Sequence, residues 1–286
     1  MAGHGELEWS ETALERLYGK RDRAVELIKC HASPVYFVHE YVWIYNATVR
    51  SWVKMRLWPA QAEVLRALDA EQYVIVLKAR QLGMSWLALG YALWLMLFRP
   101  AASILFMSKR EDEAVELLAN RLVPMHQHLP TWVQATKVQR QATRELFLSN
   151  GSQARAFSTG GGRSYTASMA ILDEADFVQD LNGVMNALKP TVDAGGKLVL
   201  ISTVDKTKPV STFKQIFRAA QRGENTYKSL FLPWSARPSR TEAWYAQVAR
   251  DMYAQEGSND SLWQEYPATV EEALAPKQLD KRFSAA

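Results

Sequence analysis

The segment Lys78-Ala-Arg-Gln-Leu-Gly-Met-Ser85 lies between an apolar run, Tyr73–Leu77, and a long apolar helical pattern that begins at Ser85. A strand, a tight loop and a helix N-terminus together present backbone N–H groups and the positive end of the helix dipole, an arrangement suited to a chain of phosphates. Laid over the phosphate-loop pattern GxxxxGK[ST], Gly83 and Ser85 match, whereas Lys78 stands at the first glycine and Met84 at the lysine. Phosphoryl transfer needs a cation to neutralise the departing group, and Lys78 or Arg80 offers one from the other end of the loop. Taken alone, the segment also reads as an ordinary strand-to-helix turn with two surface cations.

A second stretch, Met169-Ala-Ile-Leu-Asp-Glu174, is an apolar strand that delivers two adjacent carboxylates at its C-terminal end, the edge at which open α/β sheets bind ligands. Asp173 suits Mg²⁺ coordination together with the Ser85 hydroxyl, and Glu174 suits orientation or deprotonation of an attacking water. The plainer alternative is an acid-rich helix N-terminus. A third stretch, Lys197–Thr203, is another apolar strand, ending in Ser202 and Thr203, hydroxyls able to report hydrolysis to the rest of the molecule or simply to cap a strand end. Gln61, in Trp58-Pro-Ala-Gln61, offers an amide for an adenine edge. Arg163, in Gly160-Gly-Gly-Arg-Ser164, sits on a glycine-rich loop that could carry it to a phosphate in its own or a neighbouring subunit.

Other candidates carry less. His126 and His128 have no nearby Cys or acid to finish a metal site and read as solvated loop residues. No serine can be assigned a histidine partner for nucleophilic catalysis. Cys30 is the only cysteine, which excludes an internal disulfide and suits a reducing compartment.

These residues need elements to position them. Short apolar runs at Tyr73–Leu77, Ser103–Met107, Glu145–Ser149, Gln153–Phe157, Ser168–Leu172, Lys197–Ile201 and Tyr227–Leu232 alternate with helical patterns at Ser85–Phe98, Glu111–Leu122 and Asp180–Leu188. Several runs are apolar on both faces, as in buried, mostly parallel strands, so the expected fold is an α/β sheet covered on both sides. Ser108 and Glu111 have capping-box spacing for the second helix, and Asn150-Gly151 predicts a hairpin appended to the sheet.

Three regions are expected. Residues 1–57 form a helical then aromatic lead-in whose Trp and Tyr residues are expected to pack on the core. The core spans 58–205, and the more polar 206–286, punctuated by Pro and Gly, reads as a lid or linker with helices near Thr212–Gln221 and Thr241–Gln255. The formal charge of +4, from 34 basic against 30 acidic residues, permits a nucleic-acid partner without requiring one. The longest apolar stretch, Met84–Phe98, falls short of the roughly 20 residues that span a bilayer, so a soluble chain with no membrane partner is expected.

The ordered set of motifs resembles the ATPase portion of the large terminase subunit, the motor that packages DNA into tailed-phage capsids. The matching pieces are Pro34-Val-Tyr-Phe-Val38 with Tyr41, Trp58-Pro-Ala-Gln61, Arg80-Gln-Leu-Gly83, Gly162-Arg163 ahead of Ala170-Ile-Leu-Asp-Glu-Ala175, Ile201-Ser-Thr203, and Glu265-Tyr-Pro-Ala-Thr-Val-Glu-Glu272. The resemblance implies a P-loop NTPase fold of the ASCE/RecA-like type, with ATP and Mg²⁺ as cofactors. Nucleotide contacts would come from Gln61 (adenine) and from Lys78, Ala79, Arg80, Gln81, Leu82, Gly83, Met84 and Ser85. Asp173 and Ser85 would hold the metal, Glu174 would be the catalytic glutamate, Arg80 or Lys78 the loop cation, Arg163 a trans-acting arginine, and Ser202-Thr203 the coupling motif. Implied partners are double-stranded DNA, a portal protein, a small terminase subunit and further copies in a ring, within the infected host's cytoplasm. Only fourteen residues follow Glu272, so the nuclease activity usual in this family is not expected of this chain. Two rivals stand beside this reading. One is a DEAD-box-like helicase, since Asp173-Glu-Ala-Asp176 spells that motif; the other is a nucleotide-binding assembly module without turnover.

Overall fold

The computed structural model describes residues 11–134, 136–157 and 166–277. Its centre is an eight-stranded sheet in the order β10-β3-β9-β8-β4-β7-β6-β5. The strands are β3 (Tyr73–Lys78), β4 (Ser103–Met107), β5 (Val138–Ala142), β6 (Glu145–Leu148), β7 (Gln153–Phe157), β8 (Met169–Asp173), β9 (Lys197–Ser202) and β10 (Lys228–Leu232). From β10 through β7 every neighbouring pair is parallel, and β6 and β5 then run antiparallel to their neighbours. The apolar runs in β4 and β8 are buried along their whole length, which explains their lack of polar alternation.

Strand order decides the chemistry. Because β9 lies between β3 and β8, its C-terminal Ser202 emerges between the loop after β3 and the carboxylates that end β8. Helix α4 (Met84–Phe98), on the far side of that loop, is buried nearly all round, and its even coat of Leu, Ala, Met and aromatics reflects that position. It is sandwiched between the sheet and α2 (Pro34–Tyr41). At Gly90 an added Cβ would come within 3.2 Å of the Val38 side chain, tight enough that the valine would have to shift, so the glycine eases the close approach of the two helices.

Phe37, Val38, Val42 and Met55 of the N-terminal region are buried in the main core. That region comprises α1 (Glu11–Ala32), α2 and a small antiparallel pair, β1 (Trp43–Asn46) and β2 (Ser51–Lys54). The Trp94 indole donates to the Cys30 carbonyl at 2.7 Å. The Tyr36 and Tyr41 hydroxyls donate to Glu26, whose carboxyl, bonded also to Lys29, is held down at about 2. Ser33-Pro34 is a joint between two helices, because Ser33 Oγ accepts the Tyr36 N–H and Pro34 suits a first turn.

Several expectations need correction. The Asn150-Gly151 hairpin exists, but its second strand, β7, docks parallel to β4 and so belongs to the main sheet. Ser108 does not cap α5 (Glu111–Leu117); its hydroxyl donates to Glu113 at 2.9 Å, and Arg110 is the residue that precedes the first turn. His126 is buried in α6 (Val123–Gln127), where burial lowers its pKa, rather than solvated in a loop. Strand β10, which follows residue 205, pairs parallel with β3.

The remaining helices are α3 (Pro59–Ala70), α7 (Leu181–Val192), α8 (Thr212–Gln221), α9 (Glu242–Glu256), α10 (Asp260–Glu265) and α11 (Val270–Leu274). Among the described residues no helix is long and apolar enough to cross a membrane.

Candidate active site

The turn after β3 is made possible by two left-handed residues, Gln81 (φ +60°) and Gly83 (φ +73°). Gly83 has a double reason to be glycine: that φ is strained for any side chain, and a Cβ there would lie 3.1 Å from the Gln61 amide. Beyond Gly83 the first turn of α4 begins, with Ser85 one residue inside it. Helix starts leave their first N–H groups without intrahelical acceptors, so this turn aims free donors into the cleft at the sheet edge.

That cleft has a volume of about 580 Å³. Lys78, at the end of β3, is almost wholly buried, and its Nζ lies 3.2 Å from Glu174 Oε1. The Ser85 hydroxyl donates to Asp173 Oδ2 at 2.6 Å. Glu174 is itself left-handed (φ +52°), which turns its side chain back over the sheet edge. There the Thr203 hydroxyl lies 3.5 Å from Glu174 Oε2, while the Asp176 N–H donates to Ser202 Oγ at 3.1 Å. One locus therefore gathers Lys78, Ser85, Asp173, Glu174, Ser202 and Thr203, which are far apart in sequence.

Burial opposes ionisation of Asp173, and the neighbouring Glu174 charge adds to that, so its pKa is raised; Lys78 and the Ser85 hydroxyl partly offset both. A hydroxyl and a carboxylate converging at 2.6 Å are hard oxygen donors of the kind Mg²⁺ accepts when phosphates and water complete its shell, so the residues fit that ion. Among the described residues there is no cluster of three or more His, Cys, Asp or Glu that would form an all-protein metal cage.

Other expected contacts lie elsewhere. Gln61 is buried behind the loop, its Oε1 accepting the Trp58 N–H at 3.1 Å and its Nε2 donating to the Leu82 carbonyl at 3.0 Å. Met84 is buried in the core, so its side chain is an apolar anchor for the loop. Arg80 turns outward and pairs with Glu265 at 3.0 Å, and Arg163 lies outside the described residues.

Two residues not assigned to the site from the sequence also hold the loop. The Glu265 carbonyl accepts the Arg80 N–H at 2.7 Å. Arg240, sandwiched between Trp244 (4.8 Å) and Tyr266 (4.9 Å), donates to the Arg80 carbonyl at 2.9 Å. The aromatic spacing around Arg240 is the available signal, but nothing local ties it to a loop 160 residues away.

No protein-family model matches the chain, and no curated protein matches it in sequence. Solved structures do. The ATPase domain of the large terminase of Thermus phage P74-26 superposes with a TM-score of 0.62 at 24% identity, covering 74% of this chain and 93% of that one. The large terminase of bacteriophage HK97 gives 0.63 at 17%, covering 83% of this chain and 54% of that one. The fold is that of a large terminase ATPase domain. A third terminase, from the thermophilic bacteriophage D6E and solved with ADP, gives 0.53 at 14% over 68% of this chain and 49% of that one. The chain thus spans about half the length of the HK97 and D6E terminases.

Proposed function

We propose that this chain is an ATP-hydrolysing motor domain of a viral DNA-packaging machine, coupling hydrolysis to movement of double-stranded DNA into a procapsid. The observation that supports it most is the convergence of Lys78, Ser85, Asp173 and Glu174 at one edge of a terminase-type sheet. In this reading the N–H groups of the 81–85 part of the turn cradle the phosphates, and Ser85 with Asp173 would hold Mg²⁺, which would supply charge neutralisation at the phosphates. Lys78 leaves Glu174 for the phosphate chain, and that exchange releases the carboxylate to orient a water. The water oxygen bonds to the terminal phosphorus as the bond to the bridging oxygen breaks; Glu174 takes the water proton, and ADP and phosphate are the products.

Thr203 beside Glu174, and Ser202 bonded to the Asp176 amide, are placed to feel that change and pass it to the 206–277 region. Gln61 acts through its grip on the Leu82 carbonyl, and a contact to adenine exchanges that bond for one to the base. Arg163 is assigned to a neighbouring subunit's nucleotide, which makes full turnover depend on assembly into a ring. A portal protein and a small terminase subunit complete the machine, in the cytoplasm of an infected host. DNA is gripped through its phosphates, since a translocating motor cannot depend on sequence.

The test is Mg²⁺-dependent ATP hydrolysis by wild type, Lys78→Ala and Glu174→Ala, with and without double-stranded DNA. Turnover in wild type that DNA stimulates and that Glu174→Ala abolishes is expected. A wild type that binds ATP yet never turns it over, even with DNA, would make the chain an assembly module; strand separation would make it a helicase.

A further inference from the structure

Four cations line the nucleotide cleft: Lys78, Arg80, Lys109 and Arg121. Three are already matched by carboxylates, Lys78 by Glu174 at 3.2 Å, Arg80 by Glu265 at 3.0 Å and Lys109 by Glu113 at 3.5 Å. The Arg121 guanidinium has neither a hydrogen bond nor an ion pair among the described residues. Its guanidinium lies instead over the Trp86 ring, 5.3 Å from the centroid, and Trp86 is the neighbour of Ser85 in the first turn of α4. Stacking fixes the plane of an arginine while leaving its N–H donors unspent.

The backbone shows how Arg121 reaches that place. Residues Leu118–Leu122 form a π-helical turn between α5 and α6, in which the Val123 N–H donates to the Leu118 carbonyl. Pro124, next in the chain, has no N–H to give to the carbonyl four residues back, so the regular ladder cannot run through this point. One extra residue in a turn swings the downstream side chains by about 100° around the helix axis, and such turns occur often at functional sites. The charge of Arg121 is also felt at Asp173, where it favours the carboxylate.

We infer that Arg121 is a further nucleotide-binding residue of this cleft, its guanidinium donating to the terminal phosphate of the bound triphosphate from the helical wall that faces the phosphate loop. This rests on the nucleotide reading of the site above. The residue acts as a fixed positive charge and exchanges no proton. It is aimed at the group present in a triphosphate and missing from a diphosphate, so it discriminates the two and stabilises the charge that builds on the terminal oxygens during transfer.

The experiment is calorimetric titration of the full chain with ATPγS and, separately, ADP, each with Mg²⁺, for wild type, Arg121→Ala, Arg121→Gln and Arg121→Lys, with Tm recorded for each. Arg121→Ala is expected to weaken ATPγS binding by about tenfold while ADP binding stays within about twofold, and Arg121→Lys to recover part of the difference. Should Arg121→Ala fail to fold, Arg121→Gln, which keeps a stem over Trp86, carries the same comparison. Equal weakening of both nucleotides, or no change in either, overturns the assignment and leaves Arg121 as packing for Trp86. A wild type that binds neither nucleotide overturns the site reading itself, so the two failures are told apart.

Discussion

Two clefts of nearly equal size, about 580 and 600 Å³, lie at opposite edges of the sheet, and both are lined by charged residues. At the edge where β3, β8 and β9 end, the charged groups face one another: Lys78 meets Glu174, and Asp173 has Ser85 and Glu174 as neighbours. At the edge where the strands begin, the polar groups mostly serve the backbone. Lys197 Nζ donates to the Asp69 and Glu71 carbonyls at 2.8 Å each, and Ser168 Oγ accepts the Ser103 N–H. The lesson is that volume does not mark the site. A lysine bonded to two carbonyls is committed to holding the chain, whereas a lysine bonded to a carboxylate can exchange that partner for a phosphate.

The largest effect expected from this contrast is at Glu174. Glu174→Gln should lower turnover by about 10²–10⁴ while nucleotide binding persists, read by steady-state hydrolysis beside calorimetry. Next, Lys78→Ala should cost about 10²–10³ in turnover, and Arg80→Ala, whose exposed guanidinium pairs with Glu265, less than about tenfold. The reverse order would move the loop cation to Arg80.

A smaller effect separates stability from activity. The folded Asp173 carboxyl has a raised pKa, so the native state holds a proton that the unfolded chain has lost; stability therefore falls as pH rises from the ordinary carboxylate range through that raised value. Asp173→Asn should remove this pH dependence and raise the Tm of the nucleotide-free protein near neutral pH, while abolishing Mg²⁺-dependent turnover. At the other edge Lys197→Met should do the opposite. It should cost about 0.5–1.5 kcal/mol of stability by removing two hydrogen bonds to exposed carbonyls, with turnover within about twofold of wild type. A loss of turnover in Lys197→Met would erase the distinction between the edges.

How much of this is legible in sequence depends on whether burial leaves a pattern. Strands β3, β4, β8 and β9 announce themselves because both faces are buried, and Ser211 and Thr241 cap helices that begin where the sequence places them. Strand β5, Val-Gln-Arg-Gln-Ala, is exposed at every position and exists only because β6 offers it a ladder, so no periodicity reveals it. The loop, the carboxylates and the hydroxyl pair are legible as motifs. Their mutual pairing is not, since the Lys78–Glu174 contact depends on where β9 inserts. The Gln61 amide suits a base edge by its chemistry and is instead buried against the loop backbone, a placement set by the packing of α3. The π-turn that carries Arg121 has a visible cause in Pro124, but its direction is set by tertiary packing.

The central claim is that the edge ending in Lys78, Asp173 and Glu174 receives a triphosphate. A crystal structure of the full chain grown with ATPγS and Mg²⁺ tests it most directly. The account predicts phosphates against the 81–85 backbone, with Lys78 Nζ moved from Glu174 to a phosphate oxygen and Ser85 and Asp173 on the metal. Nucleotide bound at the Lys197 edge, or bound at the loop with the Lys78–Glu174 pair unbroken, would contradict it.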